Sequence, residues 1–242
     1  MTVPLAWTVD QAGGLAVVTV RGRFDLPDTP RFRSALLKCL AEQPRALLVD
    51  LSAMELGADT ALALFTAVTR QAGRWPGTPI LLCGPSPRVA SLLERGRFGR
   101  VTVRPGVEQA RREADAGTVV PPSLSDLLLP IAGAVRHARN VVTEACLTWE
   151  LPELVGPASL VVSELVANGV EHAGTMMTVQ ITRRTRHVHV AVRDGSPAEP
   201  VLNRSAGLTE RGRGLLLVDA VSVHWGWLPT DDGKVVWASL HD

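Results

Sequence analysis

Hydrophobic residues in the first half of the chain form short continuous runs, separated by stretches of helical periodicity. Uninterrupted runs at residues 15–20, 46–51 and 79–83 predict strands, the latter two buried on both faces. Between and after them, apolar side chains recur every three or four residues, which predicts helices. The predicted helices cover 29–40, 58–72, 87–95 and 107–116, with a further short strand at 101–103. Strands that alternate with helices predict an α/β layer with parallel strand pairs.

The pattern changes after residue 116. Residues 117–125 contain two prolines and small polar residues without periodicity, so they predict a linker between domains at 1–116 and 126–242. The second half then reads as helices at 130–149 and 155–173, a hairpin of strands at 177–183 and 187–194, a loop, a helix at 212–221, and strands at 223–228 and 234–240. This order predicts an α+β sandwich with one helical face.

Composition narrows the class of protein. The chain has 242 residues, of which 46% are hydrophobic, so it can bury sizeable cores. A formal net charge of +1 and the absence of tyrosine argue against direct binding of nucleic acid. The three cysteines lack metal-site spacing, and no secretory signal or membrane-length apolar run is evident. We therefore expect a soluble cytoplasmic protein that does not contact membranes.

Candidate chemistry begins on the helix predicted at 155–173. Glu164, Asn168 and His172 follow one another in steps of four, which drift by only about 40° each on an α-helix, so they share one face with Glu171. The opposite face is apolar and suits packing on a sheet. An asparagine on such a face can hold hydrated Mg²⁺, and a nearby glutamate can orient or deprotonate a nucleophile.

Two further polar features follow in the same half. Asp194 ends a predicted strand and Gly195 follows it, within the turn sequence Arg-Asp-Gly-Ser-Pro. The next feature opens a predicted helix and consists of Arg211, Gly212, Arg213, Gly214 and Leu215. Glycines at a helix start permit close backbone approach to an anion, and arginines add donors for phosphate. Each feature alone is more typical of a solvated face, an ordinary turn or a flexible helix entry, but their joint occurrence favours a phosphate-binding site.

These three segments resemble the ATP-binding domain of gyrase, histidine kinases and DNA mismatch-repair ATPases, known as the GHKL or Bergerat fold. The resemblance is closest to bacterial anti-sigma-factor serine kinases and covers roughly residues 128–240. It is carried by SELVANGVEHA, VRDGSP and GRGLLLVDAVSVHWG. One departure is Ser196, where many relatives have a further glycine.

The resemblance implies roles for individual residues. Asn168 would be the Mg²⁺ ligand, Glu164 the catalytic carboxylate and Asp194 the contact to the adenine amino group. Gly212 and Gly214 would approach the phosphates of ATP. The loop at 195–211 would form a lid over the nucleotide, with Arg211 and Arg213 holding the transferred group.

The first half resembles the STAS domain of anti-sigma-factor antagonists. The resemblance covers residues 5–116 and is carried by VVTVRGRFDLPDTPRFRSAL, LLVDLSAMELGADTALALF and ILLCGPSPRVASLLERG. It places Thr60 at the phospho-acceptor position of the family, although the neighbouring Asp and Gly of the family are both alanine here. The alternative is that Asp59 is an ordinary helix N-cap and Thr60 merely follows it.

The combined resemblance implies a partner-switching regulator of bacterial transcription. An anti-sigma-type serine/threonine kinase domain would bind Mg²⁺ and ATP together with a sigma factor or a STAS-domain antagonist. Relatives often dimerise, so a homodimer is compatible with the resemblance. Two alternatives remain open: a non-catalytic interaction module that uses ATP as a switch, and a domain pair that only scaffolds a signalling assembly.

Overall fold

The computed structural model describes residues 3–95, 99–117, 120–202 and 213–242. The chain divides into two units, Met1–Val120 and Pro121–Asp242, each built around its own five-stranded sheet. The division falls inside the segment predicted as a linker. Part of that segment is regular structure, however, because a strand begins at Ser123.

The first unit is a layer of strands and helices. Its elements are β1 Ala6–Ala12, β2 Leu15–Phe24, α1 Thr29–Ala41, β3 Ala46–Leu56, α2 Ala63–Arg74, β4 Ile80–Cys83, α3 Pro87–Glu94, β5 Thr102–Arg104 and α4 Val107–Gly117. The sheet order is β1-β2-β3-β4-β5. Strands β2 to β5 pair in parallel, as the uninterrupted apolar runs predict.

Strand β1 is absent from the sequence prediction. It pairs antiparallel with β2 through a turn at Gly13 and Gly14, whose φ angles are +61° and +75°. Six of its seven residues are exposed, and only Trp7 is partly buried. A strand at the sheet edge with polar residues on both faces has no hydrophobic pattern by which to recognise it.

The second unit has a fully antiparallel sheet. Its elements are β6 Ser123–Leu128, α5 Ala134–Thr148, α6 Val155–Asn168, β7 Met177–Arg183, β8 His187–Asp194, α7 Gly214–Val221, β9 His224–Pro229 and β10 Lys234–His241. The sheet order is β6-β7-β8-β10-β9. The helix predicted at 130–149 corresponds to α5, which begins four residues later than predicted, at Ala134. The edge strand β6 was missed because its side chains are largely exposed.

One core joins the three helices to the sheet of the second unit. Every second residue of β8 contributes to it, at Val188, Val190 and Val192. The helices add buried side chains that include Ala138, Val142, Ala145, Val161, Val162, Val166 and Val218. This packing produces the single helical face that the order of elements predicts. No helix in the described ranges is long and apolar enough to cross a membrane.

Core packing in the second unit can be tested at β7. Ile181 is fully buried, whereas Leu127 on the neighbouring strand β6 is 57% exposed. We expect Ile181→Ala to lower the free energy of unfolding by about 2–5 kcal/mol, because it leaves a cavity in the core. The matched control Leu127→Ala should change it by no more than about 0.5 kcal/mol. Urea unfolding followed by tryptophan fluorescence measures both values, and equal effects would contradict the described packing.

Candidate functional site

Helix α6 carries the polar face predicted from the sequence, but it does not continue as a regular α-helix to residue 173. It ends at Asn168 and is followed by a π-helical turn, Gly169–Ala173, which closes at Gly174 with φ +62°. Gly169 is buried against Met177, and a Cβ there would collide with the Met177 sulfur. The wider turn shifts the side chains that follow Asn168 away from the positions expected of an uninterrupted helix.

A pocket of about 550 Å³ opens beside this turn. Ligand sites commonly have volumes of roughly 300–1,000 Å³, so the pocket is large enough for a nucleotide. Polar and apolar side chains both contribute to its wall. The described lining residues come from three parts of the unit: Leu165, Asn168, Glu171 and His172; Val192, Asp194, Ser196, Ala198, Glu199, Pro200 and Val201; and Gly214, Leu215, Lys234 and Val236.

Asp194 lines the pocket and is buried, with 6% of its surface exposed. Its Oδ1 accepts hydrogen bonds from the Ser196 backbone N–H and the Lys234 ammonium, both at 2.8 Å. The Lys234 ammonium also donates to the Ser196 carbonyl at 3.0 Å. The turn is further held by the Gly195 N–H, which donates to Thr175 Oγ1 at 2.8 Å. Asp194 is thus held in one orientation by the turn that it starts and by the strand opposite.

Glu164 meets the first residue of α7. A Cβ built on Gly214 would lie 2.5 Å from Glu164 Oε2, so a larger residue at this position would require the Glu164 carboxylate to move. The carboxylate therefore lies beside the N-terminal end of a helix, where the free backbone N–H groups favour negative charge. Glu164 does not belong to the described pocket lining, although Gly214 and Leu215 do.

The structure brings together four of the predicted site residues, and Glu171 and His172 of the same predicted helix face line the pocket with them. Asn168, Asp194, Gly214 and Leu215 line the same pocket, and Glu164 lies at its border against Gly214. Gly195 is absent from the described pocket lining, and its N–H donates to Thr175 Oγ1. Arg213 is exposed and precedes α7.

Two of the predicted site residues, Arg211 and Gly212, lie outside the described residues, as does the predicted lid beyond residue 202. The start of that predicted lid, residues 195–202, lies inside them and supplies five of the lining residues.

The sequence prediction missed Lys234 and the pocket role of Leu165. Lys234 is one of only two lysines in the chain, and it begins a strand whose other residues are mostly buried. Those two features could have drawn attention to it. Leu165 is 3% exposed and belongs to the core, as expected of the apolar face of the helix, but it also forms part of the pocket wall.

The polar groups of the pocket are compatible with Mg²⁺ and a nucleotide. Mg²⁺ usually keeps several waters and takes one or two protein oxygens plus substrate phosphates. The Asn168 side chain supplies such an oxygen at the pocket wall. Within the described ranges, no cluster of three or more His, Cys, Asp or Glu side chains could hold a metal ion. A single amide ligand that shares the ion with phosphates needs no such cluster.

Thr60 lies in the first unit, in a 3₁₀ turn at Asp59–Leu62 that leads into α2. Its side chain is exposed. The alternative interpretation made Asp59 the N-cap of the helix, but the N-cap of this turn is Ala58. Asp59 instead forms an ion pair at 2.9 Å with Arg88 of α3. The turn therefore presents Thr60 to solvent directly after an acidic residue that is paired with Arg88.

Comparisons with known proteins assign each unit separately. The family model described as Mlab, STAS domain matches residues 7–105, and that described as Histidine kinase-like ATPase domain matches residues 131–240. A solved anti-sigma factor antagonist from Mycobacterium paratuberculosis is 24% identical, covering 48% of this chain and 99% of its own, with a TM-score of 0.40. The anti-sigma factor antagonist SpoIIAA in its unphosphorylated form is 14% identical, covering 48% of this chain and 100% of its own, with a TM-score of 0.38. The search of curated proteins found no match.

The contact between Glu164 and Gly214 predicts a specific coupling between two substitutions. Gly214→Ala should gain helix propensity but force the carboxylate aside, whereas in a Glu164→Ala background only the gain remains. We expect Gly214→Ala to be more favourable by at least about 0.5 kcal/mol in that background, measured by urea unfolding. Gly156→Ala in α6 is the control, because a Cβ there meets no atom within 4 Å. Its effect should be the same in both backgrounds, and equal effects of Gly214→Ala in both would contradict the contact.

Proposed function

We propose that this chain, which joins an N-terminal STAS domain to a C-terminal histidine kinase-like ATPase domain, is an ATP-binding partner-switching regulator of transcription. The family models confirm the predicted resemblance of each half and both predicted fold classes. The observation that carries the proposal is the shared pocket of Asn168, Asp194 and Gly214. These residues come from three separate segments, and each has a side chain or backbone suited to a different part of Mg·ATP.

The nucleotide would be held at both ends of the pocket. Asp194 is an oriented acceptor, suited to the amino group of adenine. At the other end, the backbone N–H groups at the start of α7, where Gly214 lines the pocket, would attract phosphate oxygens. Asn168 would bind Mg²⁺, which when present neutralises phosphate charge. Arg213, and with it Arg211 and Gly212, would complete the phosphate end.

The STAS domain supplies the regulatory half of the proposal. The ATPase domain would bind either a sigma factor or an unphosphorylated STAS-domain protein, and phosphorylation of the STAS protein would end that complex. Because both domains belong to one chain, the effective concentration of one for the other is high. Thr60 is the hydroxyl that we propose as the phosphate acceptor on the STAS side, since it is exposed on a turn whose Asp59 pairs with Arg88.

Phosphoryl transfer would use Glu164 as the base. The acceptor hydroxyl oxygen would bond to the γ-phosphorus as the bond from that phosphorus to the bridging oxygen of ADP breaks. The hydroxyl proton would pass to the Glu164 carboxylate. ADP and a phosphorylated side chain would be the products. The enzyme would then be a protein serine/threonine kinase that acts on a STAS domain.

One observation favours a second candidate function. Glu164 lies against the start of α7 and outside the described pocket lining. In that position, the contact of Glu164 with α7 would change when α7 moves towards bound phosphates, and Glu164 would take no part in phosphoryl transfer. The chain would then be a non-catalytic interaction module, in which ATP binding controls capture of the partner.

Nucleotide binding is the first test. Calorimetry should show Mg²⁺-dependent binding of ATP, and Asn168→Ala should weaken it by roughly ten- to a hundredfold, the range for loss of a contact to a charged group. Asn140→Ala, an exposed asparagine on α5, is the matched control and should bind as the wild type does. Lack of ATP binding, or equal affinities for the two variants, would contradict the proposed site.

Transfer of labelled phosphate separates the two candidates. With radiolabelled ATP, Mg²⁺ and STAS-domain proteins, we expect label on a hydroxyl side chain, and Thr60→Val tests this position within the chain itself. Glu164→Gln should keep ATP binding and lower transfer by about 10²–10⁴-fold. Glu144→Gln, exposed on α5, serves as control. If ATP binds and no protein is labelled, the kinase proposal fails and the non-catalytic module remains.

A further inference from the structure

The pair formed by Lys234 and Asp194 is a buried ion pair that faces the pocket. The Lys234 Nζ lies 2.8 Å from Asp194 Oδ1, and the two side chains are 9% and 5% exposed. Both residues line the pocket. They also lie opposite each other in the antiparallel register of β10 and β8. The strand pairing therefore places a cation beside the carboxylate on which the proposed base recognition depends.

Stability alone does not account for this pair. Removing two charges from water costs free energy that their attraction often fails to recover, and apolar residues of similar size are frequently as stable. The surrounding strand residues Val235 and Val236 are apolar and buried. A ligand that binds in the pocket is therefore the better explanation for a lysine in this position.

The hydrogen bonds made by the pair leave one donor and one acceptor for a ligand. An ammonium has three N–H donors. Within the described part of the chain, Lys234 uses two of them, on Asp194 Oδ1 and the Ser196 carbonyl. Both hydrogen bonds found to the Asp194 carboxylate end on Oδ1. The third N–H of Lys234 and the Oδ2 atom of Asp194 therefore remain as neighbouring groups of opposite hydrogen-bonding character.

Adenine presents the complementary pair of groups along one edge. Its exocyclic amino group is a donor, and the adjacent ring nitrogen N1 is an acceptor. Guanine carries an additional amino group beyond its own donor and acceptor, which this pair leaves unmatched. The pattern of one acceptor beside one donor thus fits adenine most simply.

We propose that Lys234 is a specificity-determining residue that donates a hydrogen bond to N1 of adenine while Asp194 accepts one from the amino group. This inference rests on the proposed binding of ATP and adds a second, direct contact to the base. In the competing account, Lys234 only neutralises and orients Asp194. The two accounts differ in whether affinity depends on N1 itself.

Nucleotide analogues distinguish the two accounts on the wild-type chain. We expect 1-deaza-ATP, in which a C–H replaces N1, to bind about ten- to a hundredfold more weakly than ATP in calorimetry. The matched control 7-deaza-ATP changes the opposite edge of the base and should bind as ATP does. GTP should bind more weakly than ATP. Equal affinities for ATP and 1-deaza-ATP, or tighter binding of GTP, would overturn the inference while leaving nucleotide binding intact.

A substitution provides the second half of the test. In Lys234→Met, the ratio of affinities for ATP and 1-deaza-ATP should fall to near one, because the donor is gone. If the ratio stays at its wild-type value while both nucleotides bind more weakly, Lys234 acts only through Asp194 and the inference fails. Since the single variant leaves a buried carboxylate unpaired, Asp194→Asn/Lys234→Met removes both charges and gives the same ratio if Lys234→Met does not fold. A wild-type chain that binds none of the nucleotides would instead refute the proposed function itself.

Discussion

The antiparallel register between β8 and β10 is the constraint on which the pocket depends. It sets Asp194 opposite Lys234 at the point where both strands reach the pocket. Gly233, which precedes Lys234, packs so closely on the Asp194 carbonyl that a Cβ there would collide with backbone atoms. A shift of one residue in this register would turn the Lys234 side chain to the other face of the sheet. The pairing of β8 with β10 therefore orients the Asp194 carboxylate, and the loop after Asp194 adds to this.

The part of the pocket that Gly214 lines, the proposed phosphate end, depends on a different contact, the packing of α6 on α7. Glu164 and Gly214 are in contact there, so a movement of α7 would change the surroundings of the Glu164 carboxylate. The π-helical turn after Asn168 then redirects Glu171 and His172 into the pocket wall. One helix thus supplies the proposed Mg²⁺ ligand, the proposed base and part of the wall. This arrangement explains how nucleotide occupancy could be coupled to the surface presented by α7.

The sequence by itself determined the architecture of both units wherever burial creates a pattern. Parallel strands that are covered on both faces, such as β4 and residues 46–49 of β3, must be continuously apolar, and the hairpin of β7 and β8 must alternate. The edge strands β1 and β6 escaped prediction for the converse reason, since their side chains are mostly exposed and backbone pairing alone holds them. The grouping of Asn168, Asp194 and Gly214 followed from three recognisable segments in order.

Only the tertiary structure decided how those segments meet. The i+4 spacing placed Glu164, Asn168 and His172 in one row, but the wider turn at Gly169 alters the position of His172, and Glu164 lies against Gly214 outside the described pocket wall. Lys234 lies 40 residues from Asp194 in the chain, and no local periodicity links them. Their contact exists because two strands that are distant in sequence are neighbours in the sheet. Local patterns specify which face of an element is buried, whereas pairing between distant elements specifies which side chains share a site.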